Sequence, residues 1–291
     1  MRTQPSTTAA SAIPLRSLNA ALGLAIVLPA LPVCGAQKTP APQPTTQSSK
    51  GNIVMTIVYD NNPDREDLTT AWGFACLIQG PEKTILFDTG GDGRILLENM
   101  HRLKLDPKQI DIIVLSHIHG DHTGGLPALL KVRSDVPVYT PSGFPPQFKH
   151  RVAQAGAEPR EAEDSEIICP GVRTTGTLGK GAIEEHGLCV KTRAGWVLIT
   201  GCAHPGVANL AARARQVTGG PIHNVLGGFH MGAQPKAPIN AVIDRFEELA
   251  VQHVAPCHCT GNVARSLFKE RFGDRCTLAG VGHSFRFPPP D

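Results

Sequence analysis

The sequence predicts an α/β fold in which two sheets pack face to face with helices on the outside. Strand-like and helix-like segments alternate in two successive blocks, which is the pattern of layered sheets covered by helices. In both blocks the apolar strands stop at clusters of histidine, cysteine and glycine, so the strand ends of the two halves share one chemical character. A doubly wound nucleotide fold is the competing arrangement, but no GxGxxG follows the first strand.

Strand candidates come in quick succession at first: Ile53 to Tyr59, Phe74 to Gln79 and Thr84 to Asp88, the last running into Phe87-Asp88-Thr89-Gly90-Gly91. Closely spaced strands ahead of the first helix, Arg94 to Leu103, imply antiparallel pairing. Ile112 to Leu115 is a short β-branched run of the kind that forms a strand covered on both faces. A helix around Ala128 and a proline-rich excursion, Pro137 to Pro146, close the first half. In the second half Ile167 to Thr175, Leu188 to Lys191, Trp196 to Thr200, Asn224 to Leu226 and Val254 to His258 read as strands. Val207 to Val217, Ile239 to Val251 and Asn262 to Phe272 read as helices.

The densest chemistry follows the strand at Ile112. His117, His119, Asp121 and His122 fall within six residues, in Ser-His-Ile-His-Gly-Asp-His-Thr-Gly-Gly. His117 and His119 are two apart, so an extended backbone points both the same way and one ion takes both. Gly120 lets the chain turn and present Asp121 and His122 from another direction. Mixed imidazole and carboxylate donors suit zinc, manganese or iron(II), and hydrolytic centres use one or two such ions to make a hydroxide at neutral pH.

Three later strand ends repeat the theme: Thr200-Gly-Cys202-Ala-His204, Gly227-Gly-Phe-His230 and Pro256-Cys-His258-Cys-Thr-Gly261. Ligands in layered α/β folds gather at strand ends, so His204, His230 and His258 are better candidates than His101, His150, His186, His223, His253 or His283. In an extended Cys257-His258-Cys259 run the thiols point away from the imidazole, so His258 is expected as the ligand with both cysteines packed behind it. A separate structural zinc on these thiols is the less favoured reading. Cys76, Cys169 and Cys189 lie in apolar surroundings and read as core residues.

The net charge of +3, from 28 basic and 25 acidic residues without long runs, leaves no nucleic-acid footprint. The expected partner is a small-molecule substrate. Arg2 and Arg16 precede an apolar run, Leu18 to Val33, that fits a secretory signal over residues 1–36 with cleavage after Ala36. At about sixteen residues the run is short for a membrane span, so no stable membrane insertion is expected once it is cleaved. An uncleaved anchor and a poor lipoprotein box ending at Cys34 are the alternatives. Residues 37–51 then form a Pro/Thr/Gln/Ser tether, the folded domain spans 52–291, and the expected location is the periplasm or the exterior.

The Leu86-Phe-Asp-Thr-Gly90 strand end and the HxHxDH run after the next strand make the chain resemble the metallo-β-lactamase superfamily. Trp72-Gly-Phe74, Thr200-Gly-Cys-Ala-His204, Gly227-Gly-Phe-His230 and His258-Cys-Thr-Gly261 narrow the resemblance to the 7,8-dihydropterin-6-methyl-4-(β-D-ribofuranosyl)aminobenzene-5′-phosphate synthase-like branch of metal-dependent hydrolases, over about residues 53 to 283. The resemblance implies an αββα sandwich holding one or two ions, zinc first, with manganese or iron as alternatives. Carried over, His117, His119 and His204 hold the first ion, and Asp121, His122 and His258 the second. Where many members have a bridging aspartate this chain has Cys202, and no carboxylate lies between residues 186 and 243. Either the thiolate takes that role or the second site is weak.

The activity the resemblance implies is hydrolysis of an ester, lactone or phosphoester by metal-activated water. Asp121 is then expected to manage the proton, and His230 to contact substrate or transfer a proton. A non-hydrolytic redox or binding protein of the same fold, or a pterin-precursor synthase, are the alternatives.

Overall fold

The computed structural model describes residues 51–80, 82–179 and 183–290. The signal and tether expectations, and Cys34 with them, lie outside the described residues.

The first sheet is built from β1 (Ile53–Tyr59), β2 (Ala75–Gln79), β3 (Ile85–Phe87), β4 (Ile112–Val114), β5 (Pro137–Thr140) and β6 (Glu158–Glu161) in chain order. Helix α1 (Gly93–Arg102) joins β3 to β4. Helices α2 (Gly120–Thr123) and α3 (Leu126–Leu130) follow β4, and α4 (Pro146–Gln154) follows β5. The second sheet contains β7 (Ile167–Cys169), β8 (Val172–Thr174), β9 (Leu188–Thr192), β10 (Gly195–Thr200), β11 (Ile222–Gly228) and β12 (His253–Cys257). Helices α5 (Val207–Thr218), α6 (Lys236–Glu248) and α7 (Asn262–Phe272) cover it, and β13 (Ser284–Phe287) returns to the first sheet. The orders are β13-β1-β2-β3-β4-β5-β6 and β12-β11-β10-β9-β8-β7. Pairing is antiparallel around β1 to β3 and parallel from β3 to β6. In the second sheet it is antiparallel from β7 to β10 and parallel from β10 to β12.

The two-residue period of a strand decides which apolar side chain serves which layer. Ile112 and Val114 join Ile57, Phe87, Val197, Ile199 and Leu226 in the core between the sheets. Their neighbours Ile113 and Leu115 face outward to Leu96, Met100 and Leu129, while Leu198 and Val225 face Leu210, Ile243 and Phe246. The αββα sandwich implied by the sequence is therefore the architecture.

Local differences from the sequence reading have identifiable causes. The excursion at Pro137 contains a strand and a helix, because Pro137 is the first residue of β5 and Pro146 the first of α4, the two places where a missing N–H costs least. The predicted strand Ile167 to Thr175 is a hairpin, split at Pro170-Gly171, where Gly171 takes φ +76°. β6, Glu-Pro-Arg-Glu, is an edge strand with no apolar alternation to mark it, whereas β13, the opposite edge, alternates Ser-Phe-Arg-Phe over only four residues and turns Phe285 and Phe287 to the core.

Candidate metal centre

The site lies where the loops after β3, β4, β10, β11 and β12 meet. Asp88, just past β3, is fully buried with its backbone in the left-handed region at φ +59°. It accepts hydrogen bonds from the Ser116 N–H and hydroxyl, both at 2.7 Å, and stands 2.7 Å from His122 Nδ1. The Ser116 hydroxyl has one hydrogen and gives it to Asp88, so at 2.8 Å it accepts from His117 Nδ1–H. Asp88 thus orients His117 and His122 together, holding each ring through Nδ1 and turning both Nε2 atoms into the cleft. Across the cleft the Asn61 side-chain oxygen, 2.9 Å from His258 Nδ1, does the same for His258, and buried Asp60 accepts the His258 backbone N–H at 3.0 Å.

Two donor groups result. His117, His119 and His204 bring one donor atom each within 4.8 Å of one another, with His117 Nε2 and His119 Nδ1 at 3.2 Å. Asp121, His122, Cys202 and His258 form the second group under the same limit. Within it His122 Nε2 lies 3.2 Å from His258 Nε2 and 3.2 Å from Cys202 Sγ, and Asp121 Oδ2 lies 3.6 and 3.5 Å from the two imidazoles. An ion roughly 2.0–2.3 Å from each ligand sets tetrahedral ligand separations of roughly 3.3–3.8 Å, and these spacings fit it. Two imidazole nitrogens face each other at 3.2 Å, a spacing that a shared proton or a cation satisfies, and a thiol and a carboxylate converge on the same point. His204 Nε2 is buried with no hydrogen-bond partner, as a ligand atom would be without its ion.

The electrostatics divide the donors: burial opposes protonation of His122, but the charge and hydrogen bond of Asp88 outweigh it and hold His122 above the ordinary histidine range. Burial, reinforced by neighbouring imidazoles, holds His117 well below the ordinary histidine range and His204 down at about 4, so both are neutral. Burial opposes ionisation of Asp121, but the His258 hydrogen bond and the His122 charge outweigh it and keep the carboxyl below its usual range. The hydrogen bond between the Cys202 and Cys259 sulfurs, with burial, pushes Cys202 up, and the same bond draws Cys259 down.

All seven sequence-predicted ligand residues therefore come together in these two groups. His230 stands exposed beside them, its ring 4.3 Å from that of His204. His101, His150, His186, His223, His253 and His283 belong to no donor group among the described residues. One expectation fails: Cys259 does not pack behind His258 with Cys257. The extended chain ends at Cys257, His258 takes φ +46° at the start of a 3-10 turn, and Cys259 swings toward Cys202 and His230. Cys257 alone stays in the inter-sheet core.

Sequence reasoning missed Glu185. Its fully buried carboxylate accepts the backbone N–H groups of Cys202, Ala203 and His204 at 3.0, 2.8 and 2.8 Å, and so holds the loop that carries two ligand candidates. Burial pushes its carboxyl up to about 7, against the hydrogen bonds from Ala203 and His204. It belongs to no donor group and is not the absent bridging carboxylate. The signal was a run of ionisable residues, Glu184-Glu185-His186, directly before an apolar strand, the mirror of the pattern that marked the other loops.

The metallo-beta-lactamase superfamily profile matches residues 73–234. The chain belongs to that superfamily. It is 29% identical over 282 residues to a 7,8-dihydropterin-6-methyl-4-(beta-D-ribofuranosyl)-aminobenzene-5'-phosphate synthase of Methanocaldococcus jannaschii, covering 80% of this chain and 96% of the relative. Among solved structures, Tm1679, a metal-dependent hydrolase of the beta-lactamase superfamily, aligns with a TM-score of 0.68 at 24% identity, over 80% of this chain and 98% of that one. YhfI from Bacillus subtilis, a metallo-beta-lactamase fold protein, aligns at 0.62 and 14% identity, over 81% and 100%. These structural likenesses concern the fold.

Proposed function

We propose that this superfamily member is a hydrolase of ester, lactone or phosphoester bonds in small molecules, with metal ions at both donor groups. The observation that carries the reading is the convergence of two adjacent donor groups on one cleft, three imidazoles in one and a carboxylate, thiol and two imidazoles in the other. When bound, zinc, manganese or iron ions supply Lewis acidity and acidify a water. Asp88, Ser116 and Asn61 hold the ligand imidazoles through Nδ1, so that each presents Nε2. Asp121, partly exposed and ionised, is the group placed to take and return a proton. His230, exposed at the rim beside His204, is placed to contact substrate or relay a proton.

A pterin-related substrate is the second reading, and two observations favour it. One is the likeness to the methanogen synthase. The other is Trp72, 60% exposed, whose ring lies 4.9 Å from that of His258 and offers a flat aromatic surface at the cleft. Superfamily diiron redox centres need more carboxylates than the single Asp121 that these groups contain.

The test is a turnover screen of the zinc-, manganese- and iron-loaded chain on aryl phosphate monoesters and diesters, aryl esters, lactones and reduced pterin ribosyl phosphates. The expected result is turnover of one class that is lost on chelation and in His119→Ala. Full metal content with no hydrolysis, or oxygen-dependent redox spectra from an iron form, would overturn the reading.

A further inference from the structure

Cys259 and His230 take no part in the two donor groups assigned above, yet each lies against Cys202. The donor atoms of Cys202, His230 and Cys259 fall within 4.8 Å of one another, and Cys259 Sγ lies 3.6 Å from the Cys202 carbonyl oxygen. Both thiols are buried, while His230 opens to the cleft. The backbone is bent to bring them together. Ala203 after Cys202, His230 itself and His258 before Cys259 take φ of +65°, +52° and +46°, a costly region for residues with side chains. Position 228 is glycine, and a Cβ there would run into the Gly201 carbonyl oxygen and stand 2.7 Å from Cys259 Sγ. The missing side chain leaves room for that backbone and for the second sulfur.

We propose that Cys202, His230 and Cys259 form a third cation position, thiol-rich and suited to a soft ion such as copper(I) or cadmium, joined to the second centre through the Cys202 sulfur. Two sulfurs and one nitrogen are a donor set for thiophilic ions, unlike the imidazole-only and mixed oxygen sets beside it. A thiolate has lone pairs for two cations, so Cys202 serves the second centre and this position at once. With His230 on the open side, a fourth coordination place faces the cleft. Of these donors the hydrolase reading uses Cys202 as a ligand and His230 as a rim group, Cys259 is new to both centres, and the test reads metal binding rather than turnover.

The experiment is a cadmium titration of the full chain, reduced and metal-stripped under inert gas, read by sulfur-to-metal absorption and by cadmium magnetic resonance. The parent should bind three ions, matching the three donor groups. Cys259→Ser should bind one fewer and lose about two-thirds of the absorption, since three sulfur–metal bonds fall to one. His230→Ala should keep the sulfur absorption at high cadmium while the weakest ion binds at least about tenfold less tightly, and this variant leaves both thiols in place if Cys259→Ser misfolds. Cys276→Ser, which removes a buried cysteine under the outer helices, should match the parent. Parental ion count and absorption in Cys259→Ser would overturn the proposal. So would reduced absorption with an unchanged ion count, which would place Cys259 in the second centre.

Discussion

Removing Glu185 should loosen one loop and with it one metal centre. Its carboxylate is the acceptor for three consecutive buried backbone N–H groups, those of Cys202, Ala203 and His204. A buried donor left without a partner costs about 1–3 kcal/mol. Three of them, with part of the loss recovered by water entering the vacated space, make Glu185→Ala about 3–5 kcal/mol less stable. Glu185→Gln keeps one acceptor oxygen but turns an amide NH2 toward the remaining N–H, and should cost about 1–3 kcal/mol. Because the loop also carries His204, zinc affinity at the first centre should fall about 10- to 100-fold in the alanine variant. Urea unfolding of the reduced, metal-free chain gives the stability, and competition with a chromophoric chelator gives the affinity. A Glu185→Ala variant within about 1 kcal/mol of the parent that binds zinc as tightly would refute the role assigned to this carboxylate.

Other perturbations separate the two centres. His119→Ala should remove the ion of the first centre and all turnover, checked by metal analysis, and retention of full metal content would count against the assignment. Cys202→Ser should weaken the second ion while sparing the first, whereas Cys202→Asp should restore two-metal occupancy; metal titration of both variants decides it. Asp88→Asn, which disturbs the partner of His122 Nδ1 and, through Ser116, that of His117, should lower affinity at the second centre by about 10- to 100-fold and at the first by less. Gly201→Ala would set a Cβ 2.0 Å from Ser116 Oγ, so it should cost about 1–3 kcal/mol in urea unfolding, and an unchanged midpoint would contradict that packing. Export is tested in the native host, where mass spectrometry should find a chain beginning near Gln37 or a lipid on Cys34; an intact Met1 in the cytosol would contradict it.

Sequence and structure agree best where one physical rule decides the outcome. β-branched runs such as Ile112 to Val114 are strands in both readings, and two-residue spacing brings His117 and His119 to one point. Edge strand β6 was hidden because its Glu-Pro-Arg-Glu residues are nearly all solvent-facing, and β13 because its Ser-Phe-Arg-Phe alternation is only four residues long and runs into prolines. Cys259 was misplaced because the reading assumed extended backbone through a turn that begins at His258, where nothing local announces a left-handed residue. The supporting groups Asp60, Asn61, Asp88 and Glu185 act on residues far away in sequence, so their partners emerge only when the sheets pack.

The central claim is that two cations sit side by side on these donors. Anomalous diffraction from crystals of the zinc-loaded chain tests it most directly. Two peaks roughly 3.5–4 Å apart are expected, one among His117, His119 and His204 and one among Asp121, His122, Cys202 and His258. Zinc bound elsewhere, with both donor groups empty in a fully loaded protein, would contradict the account.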